Sequence, residues 1–257
     1  MSKIQSLCIL LFICLGIVSC GPSTISKPNL KETAKTIEAK ALSLMKQEAY
    51  QEAAIEYLQL AENHPEQSIQ YRLKAATAYF EARNIQAAKQ ILDQTNIKSA
   101  TFPIQSLQKN IILAKIALSE QQAERALELL QTSTPNNTPN SILIALHETR
   151  ADAYDQQLNH EQSIDERLKA YSISDKSTES NIDYKQLWKQ LMLLNLTTLK
   201  SKSTTILDKS ISWIELAIIF KTNQINPQTL KSELNNWQYL YPSHLANYEI
   251  VPELILK

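Results

Sequence analysis

The chain carries an apolar run from Leu7 to Val18, then a stretch at 21–30 with no apolar period, and from Lys31 onward apolar residues at helical spacing. The first run follows Lys3 and the free amino terminus and is too short to span a bilayer as a stable helix. Residues 1–19 therefore predict a cleaved signal peptide. The segment "GPSTISKPNL" (21–30) has two prolines and two serines, the composition of a solvated tether, and ten extended residues reach roughly 35 Å. Beyond it the breaks in the helical pattern fall at prolines, asparagines and short polar clusters. The predicted fold class for residues 31–257 is all-α.

The helical pattern repeats. In "EAYQEAAIEYLQLAENHP" (48–65), Ala54 and Ala61 lie seven apart on one face and Pro65 closes the helix. The small residue recurs as Ala88, Ala126 and Ser163, in steps of 34, 38 and 37 residues. Ala76, Ala114 and Ala151 stand twelve residues before those positions, with Tyr79 and Tyr154 three further on. Small side chains let two helices approach to about 8–10 Å, and an aromatic ring fills the gap beside them. This pattern resembles the tetratricopeptide repeat and implies a helical-hairpin solenoid. Steps longer than 34 imply residues inserted in loops, and Pro65 stands alone as a closing proline.

Composition removes several function classes. Twenty-six basic and twenty-six acidic residues balance, so no global field recruits nucleic acid or an anionic membrane surface. The two glycines are Gly16 and Gly21, which leaves the folded part none for positive-φ turns or phosphate-cradling loops and excludes Gly-rich nucleotide sites. His64, His147, His160 and His244 are scattered without metal-ligand spacing and are expected at the surface or at helix ends. Asp152, Asp155, Glu161 and Asp165 cluster in the fourth repeat, where solvated helix faces are the expectation. Neither a nucleophile elbow nor a Cys/His pair follows the signal peptide. No catalytic, cofactor or metal site is expected, and the reading is non-enzymatic.

The cysteines fall at positions 8, 14 and 20, and none comes later. The residues "IVSC" ending at Cys20 resemble a bacterial lipobox, which implies a diacylglyceryl thioether on Cys20 and a lipidated tether over 20–30. Each buried methylene contributes about 0.8 kcal/mol, so a palmitate-type three-chain anchor exceeds what stable attachment needs. Gly21 is not the aspartate that holds lipoproteins in the inner membrane. Outer-membrane sorting follows, with the folded part on the periplasmic side.

Residues 188–255 contain all three tryptophans, and the order of features there is specific. Trp188 precedes a leucine-rich stretch, "SW" opens a helix at Trp213, "NP" starts another at Pro227, and Trp237, Gln238, "YP" at Tyr241 and Pro242, and "VP" at Pro252 follow. Trp213, Leu216, Ala217 and Phe220 line one helix face and Leu230, Leu234 and Trp237 the facing one, a core arrangement. This order resembles the N-terminal domain of the LpoA family, outer-membrane lipoproteins that activate a class A penicillin-binding protein. Ser212 stands where that family has glycine, and Val251 where it has leucine. The resemblance implies a non-catalytic scaffold for peptidoglycan synthesis, acting on a penicillin-binding protein directly or through a solute-binding-like domain. Family members continue past this point into that second domain, so the resemblance reads this chain as a shortened member or a split gene product. The alternative is a tetratricopeptide scaffold lipoprotein of an outer-membrane protein assembly complex.

The cysteine pattern yields a first prediction. Cys20→Ser gives a protein that no longer fractionates with outer membranes, and unchanged membrane fractionation would sink the lipobox reading.

Overall fold

The computed structural model describes residues 30–175, 178 and 182–255; the signal peptide, Cys20 and nearly all of the tether lie outside the described residues. Thirteen α-helices occur among them. The first eight form four hairpins: α1 (Leu30–Lys46) with α2 (Tyr50–Asn63), α3 (Ser68–Glu81) with α4 (Ile85–Gln94), α5 (Pro103–Ser119) with α6 (Ala123–Leu130), and α7 (Asn140–Gln156) with α8 (His160–Ile173). Five further helices close the stack: α9 (Tyr184–Leu191), α10 (Leu196–Ser203), α11 (Ile211–Asn223), α12 (Pro227–Leu240) and α13 (Ala246–Ile255). Among the described residues no helix is long and apolar enough to cross a membrane.

Each hairpin carries a small residue on each of its helices, twelve apart: Ala41 and Ala53, Ala76 and Ala88, Ala114 and Ala126, and Ala151 and Ser163. All eight are fully buried. The pairs advance by 35, 38 and 37 residues. The first hairpin's equivalent is thus Ala53, one residue before the Ala54 that the 34-residue step selects. Both alanines are buried, and residue type alone does not separate them. The register is fixed by the turn, because the amides of Ala53, Ala88, Ala126 and Ser163 each bond back four residues as the helix begins.

Glycine's absence does not prevent positive-φ turns. Glu48, Arg83, Gln121 and Leu158 take φ of 57 to 61° between the two helices of each hairpin. The following amide reaches back five residues, from Ala49 to Leu44, Asn84 to Tyr79, Gln122 to Ala117 and Asn159 to Tyr154, at 2.8–2.9 Å. This is a Schellman closure, in which the left-handed residue is ordinarily glycine. Its repetition shows that the turn is part of the repeat although its sequence is not.

Between hairpins the chain behaves differently. The first junction occupies residues 64–67, whereas the next two need 95–102 and 131–139. The second helices shorten in step: α2 and α8 have 14 residues, α4 has 10 and α6 has 8. The extra loop residues implied by the long repeat steps are here. The apolar core runs on without a break, since α5 contributes to the clusters on both of its sides and α7 does the same.

A left-handed leucine costs roughly 1–2 kcal/mol, partly offset by the 0.5–1 kcal/mol entropy penalty of glycine. Leu158→Gly, at a site 77% exposed, is expected to raise stability by about 0.5–1 kcal/mol. The measurement is a higher urea midpoint at unchanged slope. An unchanged or lower midpoint would remove the strain account.

Candidate functional site

The residues singled out at the carboxyl end converge on one aromatic core. Trp213 on α11 is fully buried and Trp237 on α12 is 1% exposed. The Trp237 indole Nε1 donates to the Ser212 carbonyl at 3.1 Å, tying α12 to α11. Trp188 packs on Phe220 with ring centroids 6.1 Å apart. Asn226 caps α12 by accepting from the Thr229 amide at 3.2 Å, with Pro227 in the first turn, where its missing N–H costs nothing. The Tyr241 hydroxyl donates to Glu215 at 2.7 Å, and burial together with that bond pushes its phenol up to about 12. Gln238 is half-buried on α12; Pro242 is exposed in the loop after that helix, and Pro252 lies exposed inside α13. Trp213 and Trp237 lie in the core, and Trp188 is half-buried against it.

Sequence reasoning missed what sits among them. His244 is buried, not at the surface, and its ring lies 4.6 Å from Trp213 and 4.7 Å from Trp237, both T-shaped. Its Nδ1 accepts from the Ala246 amide at 3.1 Å, so the neutral ring carries its proton on Nε2. Burial, helped by the charge of Lys209, lowers its pKa to about 3. The signal available in the sequence was position: His244 falls three residues after Tyr241, beside the motif.

The fourth-repeat carboxylates are likewise not simply solvated. Arg167 on α8, 1% exposed, bonds Glu148, Asp152 at 2.7 Å and Asp155 at 3.0 Å, all on α7. Asp155 also accepts from Gln186 and Gln190 of α9, and Ser163 donates to Gln190 at 3.1 Å. Burial pushes Glu148 up to about 7 against the pull of Arg167, as expected where three carboxylates share one guanidinium. A second pair lies nearby: His147 meets Glu166 at 2.7 Å. Burial would raise Glu166, but the bonds and charges of His147 and Lys169 together hold it at about 2. Of the remaining positions, Glu161 is exposed and Asp165 pairs with Lys202 at 2.5 Å. The buried and half-buried groups are engaged structurally, and none of these sets places a base beside a nucleophile. Among the described residues no group of three His, Cys, Asp or Glu side chains could hold a metal ion.

The first helices α3, α5 and α7 pack side by side and leave one face open. A groove of about 290 Å³ runs across it, with Leu73, Ile111, Ile112 and Ile142 in its lining and Lys74 and Lys115 beside them. Lys74 is paired with Glu38 of α1 at 2.5 Å, and Lys115 exerts its field on Asp152. The groove is largely apolar and edged by cations.

The family model described as "LppC putative lipoprotein" matches residues 46–257. A protein of Haemophilus ducreyi named penicillin-binding protein activator LpoA is 24% identical over 79% of this chain and 36% of its own length. One of Aliivibrio fischeri with the same name is 26% identical over 60% of this chain and 25% of its own. The chain therefore spans between a quarter and little more than a third of the length of the curated relatives it matches. The LpoA N-terminal domain of Haemophilus influenzae superposes with a TM-score of 0.60 at 20% identity, covering 79% of this chain and 93% of that one. The amino-terminal domain of E. coli LpoA gives 0.58 at 18% identity, with 79% and 90% covered. The all-α tetratricopeptide-like fold is thereby established. Neither relative is named for an outer-membrane assembly complex.

The environment of His244 makes stability pH-dependent. Its folded pKa lies below the unfolded value of 6.5, so its contribution is fully present above pH 6.5 and is lost as pH falls toward about 3. One such proton gives a slope of up to ~1.4 kcal/mol per pH unit. Glu148 acts in the opposite sense between about 4.5 and 7, so the comparison must be differential. Denaturation of the unaltered protein and of His244→Phe across pH 4 to 7 is expected to differ by that rising component. Parallel pH profiles would show that the ring is not held neutral.

Proposed function

This chain belongs to the LppC family of lipoproteins, and on that premise we propose that it serves peptidoglycan synthesis as a non-catalytic scaffold supporting a class A penicillin-binding protein. The observation that carries this reading is the family match over residues 46–257 together with relatives named as penicillin-binding protein activators. The fold supports it: four stacked hairpins at roughly 10 Å per layer give reach, and the open face of α3, α5 and α7 gives a docking surface. Diacylglycerylated Cys20 holds the chain to the periplasmic face of the outer membrane, and residues 21–30 let the helical unit stand clear of the lipid.

The fold this chain shares with the solved LpoA structures is that of their N-terminal domains. The helical unit supplies position, and the stimulating contact with the synthase comes from a solute-binding-like domain. The motif residues Trp188, Trp213, Pro227, Trp237, Tyr241, Pro242 and Pro252 serve by shaping the closing helices and not by touching the partner.

An in vitro peptidoglycan synthesis reaction tests this. The mature chain added alone is expected to leave glycan polymerisation and cross-linking by a class A penicillin-binding protein unchanged, and to raise them when a solute-binding-like domain is supplied. Stimulation by the chain alone would place the activity in the helical unit and overturn the division of labour.

A further inference from the structure

The longer junctions 95–102 and 131–139 and the shortened helices α4 and α6 fall in consecutive repeats. Together they leave a cleft of about 690 Å³ beside the first two turns of α5. Its size lies within the ~300–1,000 Å³ of small-molecule sites. The polar part of the lining is uncharged. Ser99, Ser106, Thr132 and Ser133 bring hydroxyls, Asn110 and Asn136 bring amides, and no charged side chain lines it. The nearby cation on α5, Lys109, is committed elsewhere: its ammonium donates to the carbonyls of Leu92 at 2.6 Å and Thr95 at 3.1 Å, closing the end of α4.

We propose that this cleft binds an uncharged, hydroxyl-rich ligand, a segment of N-acetylated glycan strand. Hydroxyl and carboxamide groups both donate and accept, which matches sugar hydroxyls and acetamido groups in either direction. Pro103, Ile104, Leu107 and Pro135 offer apolar surface for acetamido methyls and the C–H faces of the rings. A charged ligand would lose hydration here with no counter-charge in return. Phe102, 40% exposed, precedes Pro103 and places an aromatic ring beside these residues in the chain. The cleft is separate from the groove on α3, α5 and α7 in its side chains, so a scaffold could hold a protein partner on one and a glycan on the other. The choice of glycan rests on the peptidoglycan reading above, whereas the uncharged-polyol chemistry rests on the lining alone.

The test is an amide NMR titration of the full mature chain, made soluble as Cys20→Ser, with tetra-N-acetylchitotetraose. Shifts are expected at residues 99–110 and 132–136, weaker by roughly tenfold for Asn110→Ala, the loss of about one hydrogen bond, and weaker still for the de-N-acetylated tetramer, whose amines carry charge into an uncharged cleft. Asn136→Trp, an exposed position at which the larger side chain occupies the cleft, is expected to abolish them at unchanged melting temperature. The inference is overturned by absent shifts, by shifts at the α3/α5/α7 groove instead, by equal binding of the de-N-acetylated tetramer, or by binding that survives Asn136→Trp. No synthase is present, so failure of the activation assay leaves this outcome intact and the reverse holds as well.

Discussion

The closure of helix ends without glycine governs much of this structure. A stack of helices must satisfy the last carbonyls of every helix, and glycine in the left-handed region is the usual means. The two glycines of this chain lie before residue 22, outside the described residues, so the fold uses two other devices. Within hairpins, non-glycine residues at 48, 83, 121 and 158 accept left-handed backbone. Beyond the second helices, a cation from further along the chain takes over: Lys109 bonds the Leu92 and Thr95 carbonyls after α4, Arg150 that of Leu130 at 2.5 Å after α6, and Lys209 that of Ser174 at 2.6 Å after α8. Lys221 does the same at Met192 after α9, at 2.8 Å. A positive charge at a helix carboxyl end also meets the macrodipole favourably. Each such bond joins one layer to the next, so the capping chemistry and the stacking of layers are the same contacts.

The last hairpin shows how a repeating unit is made to stop. Where the earlier repeats place alanine, the fourth has Ser163, whose hydroxyl reaches Gln190 of α9, and Gln190 in turn reaches Asp155. Asp155 answers Arg167, so the polar cluster of α7 and α8 is continuous with the first closing helix. A buried guanidinium ringed by carboxylates adds little net stability, because desolvation cancels most of the attraction. Its value is geometric: a fixed fork of donors accepts one arrangement of α7, α8 and α9, where apolar packing alone would tolerate sliding. One turn further along the same flank of α8, Tyr171 meets Trp213 edge to face at 5.9 Å and Lys209 lies 4.7 Å above the Tyr171 ring. The polar cluster and the aromatic core thus hold successive turns of one helix.

How much of this is legible in the sequence depends on the kind of signal. Alanines at fixed spacing are legible because a close helix approach admits few residue types, and the hairpin stack followed from them. The one-residue slip between Ala53 and Ala54 was not, because both satisfy the same size rule and the deciding hydrogen bond belongs to the backbone. Left-handed turns at Glu48, Arg83, Gln121 and Leu158 leave no mark, since nothing in those side chains favours the conformation. Arg167 and His244 were invisible for a different reason. Charged and ionisable residues are mostly exposed, and burial is decided by partners brought together from 12 to 31 residues away: Asp155 for Arg167, Trp213 for His244.

The placement of the motif residues bears on where function can lie. Trp213 and Trp237 are buried, Tyr241 is bonded to Glu215, and Pro227 opens a helix, so each answers to a packing or backbone requirement. Such a motif reports that the closing helices fold in one way, and it would do so whatever the partner. Binding surfaces must then be sought at positions free of that requirement. The groove on α3, α5 and α7 and the cleft beside α5 have core residues such as Leu73, Ile111, Ile112 and Leu107 as their floor, and exposed or half-buried side chains and junction residues around them. Repeat architectures carry variation in this way, because each layer needs contacts with its neighbours and not with the whole. The buried residues are therefore held to a few types by the fold, whereas the junctions between hairpins are where one layer is free to differ from the next in length and chemistry.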